Sequence, residues 1–145
     1  MCMATTVPMK GSTGKFGVDK CLEFIEENGD KDRNILVKTD QEPAVGHLVK
    51  SLVEDRFEGR TAVEDAKTGV EESPVRSSGS NGIVERAVQG VEGQIRVIFL
   101  NLQERLGCKL DARERIVAFI PEYAAYLLNR MHRGSDGKVA YERVR

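Results

Sequence analysis

Tryptophan is absent from the sequence, and aromatic side chains make up only 6% of it. That scarcity argues against a platform on which nucleic-acid bases stack. Cysteine is sparse too: Cys2, Cys21 and Cys108 lie far apart and form no C-x-x-C pair. Such spacing argues against a disulfide framework or a zinc site and fits a reducing compartment. Long hydrophobic runs are missing; stretches such as Val97–Leu100 and Ile116–Ile120 fall far short of a bilayer. Neither secretion nor membrane insertion is therefore expected, and an intracellular protein is. The formal charge of -1 leaves no global attraction for nucleic acid, so any such binding must come from a local patch.

What is present is ordinary for a soluble protein: 40% hydrophobic and 31% charged residues over 145 positions. That length fits one compact domain over residues 1–145, able to bury about 70% of the surface its unfolded chain exposes. Charge is spread unevenly. Glu54–Glu72 holds seven acids and three bases, whereas Arg130–Arg145 holds five bases and two acids. The end of the chain is its basic part.

Apolar periodicity predicts the elements. Ala4–Met9 is a short β-prone piece, with Pro8 near its end. Val18, Cys21, Leu22 and Ile25 form a helical stripe that stops at Asn28-Gly29, predicting a first helix over roughly Thr13–Asn28. Arg33–Lys38 holds the continuous trio Ile35–Val37 expected of a strand buried on both faces. A second helix follows, with Pro43 in its first turn and Val45, Leu48, Val49, Leu52 and Val53 on one face. His47 lies in this helix and reads as a surface or boundary residue. Arg60–Ala66 alternates weakly, as an edge strand would. Gly69–Gly82, with Pro74 and four serines, reads as a loop. Val84, Val88, Val91, Ile95, Ile98, Leu102 and Leu106 then recur at helical spacing up to Gly107. Ile116–Leu128 gives a further helical face, which Pro121 must kink or restart. The close has two glycines in a polar turn, then a segment near Val139–Tyr141 that packs back.

Two acids stand out. Asp40 follows a predicted strand directly, and in open α/β sheets ligands gather beyond the carboxyl ends of strands. A plain helix N-cap is its other reading. Glu85 lies in the first turn of the long helix, where a carboxylate suits the helix dipole, so a dipole role and a catalytic role are both open. Two carboxylates brought together suit divalent ions that neutralise the attacking and leaving oxygens of a phosphodiester.

The segments TDQEPAV around Asp40, SPVRSSGSNGIVERA around Glu85, and FIPEYAAYLLNR followed by GSDGKVAYERVR resemble the integrase catalytic core of retroviruses and, more closely, of LTR retrotransposons. The resemblance extends over nearly the whole chain and keeps the motif order. It implies a ribonuclease-H-like fold with a partial mixed sheet of about three strands, flanked by helices, with two long helices at the C-terminal end. It also implies two Mg2+ or Mn2+ ions, DNA as partner, DNA cleavage and strand transfer, and action in the nucleus. Asp40 matches the family's second acidic ligand and Glu85 its third.

The first acid of that family precedes the second on the opening strand, and no acid precedes Asp19 here. Asp19 falls in the first predicted helix, the wrong element. The expectation is a core lacking its first strands, and also the family's zinc-binding and C-terminal DNA-binding domains, with two of three ligands and little strand-transfer activity by itself. For DNA contact the candidates are Arg76, Asn81, Gln89 and Arg96, with Arg143 and Arg145 in the tail. Glu92, on the same helix face as Gln89 and Arg96, opposes phosphate binding. Asn81, one turn before Glu85, doubles as a cap. Glu42 reads as early-helix charge rather than a ligand. The alternatives are a non-catalytic nucleic-acid-binding or dimerisation module using the C-terminal helices, and a small α/β domain of unrelated purpose.

Overall fold

The computed structural model describes residues 1–8, 15–39, 42–58, 67–72 and 82–144. It is mixed α/β. Among the described residues, five α-helices and a 3-10 helix accompany a two-stranded parallel sheet. Two compact units form, one from Met1–Thr6 with Gly82–Arg145 and the other from Val7–Asn81.

In the second unit, α1 (Phe16–Glu27) buries Val18 fully. Its end is a Schellman motif: Gly29, at φ 77°, donates to the Glu26 carbonyl, and Asp30 donates to that of Ile25. Glycine is required there because a side chain resists the left-handed region. β1 (Ile35–Thr39) follows, then α2 (Pro43–Glu58), then β2 (Thr68–Glu72). The two strands run parallel, in the register Ile35 to Thr68 through Thr39 to Glu72. Val49 and Leu52 of α2 are buried with Val18 in this unit's core.

Three expectations are corrected in this unit. β1 is not buried on both faces: Ile35, Val37 and Thr39 are half-buried, but Leu36 is 65% exposed. β2 begins where a loop was expected. Its polar sequence carries no β signal by itself; pairing with β1 makes it a strand, with Lys38 and Glu71 joined at 3.4 Å across the ladder. Gly69 fits there because a β-carbon would come within 3.1 Å of Leu36 Cδ1. Two strands therefore stand among the described residues where about three were expected. The edge strand expected over Arg60–Ala66 lies outside those residues.

In the other unit, α3 (Gly82–Leu106) runs for 25 residues and stops at Gly107, φ 65°. A 3-10 helix (Arg115–Phe119) leads into α4 (Ile120–Met131), with Pro121 in its first turn. Proline thus restarts the helix, as its missing N–H favours. Only α3 of the two C-terminal helices is long, since α4 has 12 residues. Ile120, Ala124, Ala125 and Val139 form the buried centre.

The N-terminal strand expected from Ala4 is not formed over its described residues. Side chains hold that segment to α4 and the 3-10 helix before it instead: Thr5 Oγ1 donates to Glu122 at 2.7 Å and Thr6 Oγ1 to the Ala118 carbonyl at 3.0 Å. Asn129 accepts the Cys2 N–H at 2.9 Å and donates to the Cys2 carbonyl at 2.7 Å. At the other end, Val139 N–H donates to Glu142, which caps α5 (Ala140–Val144). No helix among the described residues is long and apolar enough to cross a membrane.

Candidate functional site

Asp40 lies outside the described residues, yet its neighbours bound it closely. β1 ends at Thr39, and α2 begins at Pro43. The Glu42 carbonyl accepts from the N–H groups of Val45 and Gly46, at 3.0 and 2.9 Å. Glu42 therefore holds the capping position of α2. Asp40 directly follows a parallel strand whose chain returns through α2 to β2, the connection that parallel pairing demands.

Glu85 stands in the first turn of α3 and is exposed. Among the described residues its carboxylate has no hydrogen-bond or ion-pair partner. Gln89, Glu92 and Arg96 follow it at helical spacing, all exposed. Arg96 donates to Glu92 at 3.2 Å, so the acid expected to repel phosphate is partly neutralised by its own neighbour. Arg76 and Asn81 lie outside the described residues. No group of three metal-binding side chains occurs among the described residues.

In the tail, Arg143 is already engaged. It donates to both carboxylate oxygens of Asp136, at 2.9 and 2.6 Å, and to the Lys138 carbonyl at 3.0 Å. The Arg143 hydrogen bond, with that from the Lys138 N–H, holds the Asp136 carboxyl down at about 2. Its charge is thus largely spent inside the turn, which weakens it as a DNA contact. Arg145 lies outside the described residues.

One cluster escaped the periodicity reading. Tyr123 and Tyr126 of α4 hold their rings nearly parallel, 11° apart in plane, with centroids 6.4 Å apart. One turn on, Arg130 places its guanidinium 5.5 Å from the Tyr126 ring and 3.5 Å from the Tyr141 ring of α5. Every tyrosine of the chain is in this row. The signal was the spacing 123, 126, 130, which sets three side chains on one helix face.

Compared with protein-family models and with curated proteins, the chain matches none.

Proposed function

We propose that this chain is an integrase-core-like domain of ribonuclease-H-like build, acting on DNA in the nucleus by metal-dependent phosphodiester cleavage and strand transfer. Asp40 and Glu85 are its acidic ligands for Mg2+ or Mn2+. The observation that carries this reading is the β1–α2–β2 unit. Asp40 directly follows in sequence a parallel strand, where α/β proteins gather their ligands, and Glu42 holds the capping position of the next helix. Glu85, exposed at the positive end of a 25-residue helix, is a carboxylate without a described partner. The metal assignment rests on the motif match. Divalent ions bound there would supply charge neutralisation at the reacting oxygens. Arg76, Asn81, Gln89 and Arg96 are assigned to DNA contact.

The test is cleavage of labelled duplex ends with Mg2+ or Mn2+, alongside Mn2+ binding. Two acids where the family uses three predict binding in the millimolar range and weak cleavage by these residues alone. Both Asp40→Asn and Glu85→Gln lower Mn2+ affinity. Robust cleavage indifferent to both substitutions, or no Mn2+ binding at all, rejects the reading. Duplex affinity should also fall steeply with salt.

A second reading, self-association through the C-terminal helices, is favoured by α3. Ile83, Gly90, Gly93, Val97 and Leu100 line one stripe at steps of seven, three, four and three residues, on a different side of the helix from Val84, Val88 and Val91. Ile83 is 89% exposed, and β-carbons at Gly90 and Gly93 would meet nothing within 4 Å. An antiparallel second copy centred on the two glycines sets Ile83 of one copy beside Leu100 of the other. Leu100→Lys then abolishes any concentration-dependent rise in mass.

A further inference from the structure

We propose that the row Tyr123, Tyr126, Arg130 and Tyr141 is a stacking surface for the bases of single-stranded nucleic acid. It rests on the nucleic-acid reading above but needs neither Asp40 nor Glu85.

Scarcity of aromatics argued against such a platform, since three tyrosines scattered over 145 residues would make none. Folding gathers all three. Tyr123 and Tyr126 are 53% and 50% exposed, so each ring keeps about half its surface for a partner. Their planes differ by only 11°, which lets consecutive bases lie on them without reorienting. The guanidinium of Arg130 lies 3.5 Å from the Tyr141 ring and is fixed beside Tyr126, extending the flat surface by a charged plane. Base stacking on aromatics with arginine alongside is how sequence-tolerant single-strand binding is built.

Charge selects the polymer. A proline-rich peptide also seeks aromatic surfaces, but this row contains the cation Arg130 and leads into a basic turn. Arg133 and Lys138 flank the same turn and are exposed. A polyanion is therefore favoured over a neutral peptide. Unpaired bases are required, because a duplex hides base faces in its stack.

Tryptophan's absence gives a direct readout: all tyrosine emission of the intact chain comes from this row, with no tryptophan to mask it. A thymidine oligonucleotide added at low salt with a metal chelator should quench that emission, after correction for absorbance. Its anisotropy should report binding that Tyr123→Ala and Tyr126→Ala each weaken by at least about fivefold. Tyr126→Phe should keep affinity, since the ring is retained, and Arg130→Ala should lose it. Unchanged tyrosine emission in the wild-type chain overturns the proposal. So does wild-type affinity in a folded Tyr123→Ala/Tyr126→Ala variant, or binding of a proline-rich peptide without the oligonucleotide. Binding in chelator without any metal-dependent cleavage counts against the catalytic reading only. Cleavage together with an indifferent double variant counts against the tyrosine row only.

Discussion

Arg56 donates to the Thr68 hydroxyl at 2.6 Å, tying the last turn of α2 to the first residue of β2. Its other terminal nitrogen reaches three carbonyls, those of Asp30, Lys31 and Arg33, at 2.8, 3.1 and 2.6 Å. The residue is 6% exposed. One planar fork thus closes the turn after α1 and aligns the polar β2 beside β1. Arg56→Met leaves those acceptors buried without their donor and should cost about 3 kcal/mol, read as a lowered urea midpoint. Arg56→Lys should recover little, because an ammonium cannot reproduce the fork. An unmoved midpoint in Arg56→Met would show that the turn closes without it.

Glycine in the middle of a helix is unfavourable, and α3 carries two such residues with open space around them. Gly93→Ala should raise the stability of the monomer by about 1 kcal/mol, visible as a higher melting temperature at low concentration. In the paired form the same methyl group stands between two backbones. Gly90→Ala/Gly93→Ala should therefore weaken self-association in sedimentation while the isolated chain gains stability. Loss of stability in the single variant would mean that the β-carbon is not free.

Acid should open the C-terminal turn within a defined window. Asp136 is held at about 2 against an ordinary value of 3.8. A depressed carboxylate stabilises the folded form above its unfolded value, and that contribution disappears as pH falls from about 4 to about 2. The side-chain carbonyl resonance of Asp136 should titrate at the lower end of that window. In Arg143→Gln it should return toward the ordinary value. A midpoint near 3.8 in the wild-type chain would contradict the bidentate pair.

Thiol reagents should distinguish the three cysteines. Cys108 is exposed, whereas burial pushes the Cys2 and Cys21 thiols up and leaves less thiolate at neutral pH. Cys108 should be labelled first under native conditions, and Cys108→Ser should remove the fast phase. Equal labelling rates would contradict the burial of Cys2 and Cys21.

α1 to α4 were legible in the sequence because each carries apolar residues at helical spacing. Val18, Val49 and Leu52 ended up buried, Gly29 and Gly107 stopped their helices, and Pro121 restarted its own. β2 was not legible, since Val70 is its only apolar residue and its pairing with β1, at a separation of 33 positions, comes from folded context rather than local pattern. The opening segment misled for a related reason. Thr5 and Thr6 have strand propensity, but their hydroxyls are satisfied on α4 and on the 3-10 helix before it. Of the expected site residues, Glu85, Gln89 and Arg96 stand exposed on α3 as their spacing required. The tyrosine row was hidden because Tyr141 joins it only after the Asp136–Arg143 turn brings α5 back to α4.

Cys2 and Asn129 are joined at both amide atoms across 127 positions of chain. A ribosome releases the first partner long before it has made the second. Cys2 therefore stays without this partner until Asn129 has been made, and the unit that holds both cannot close before then.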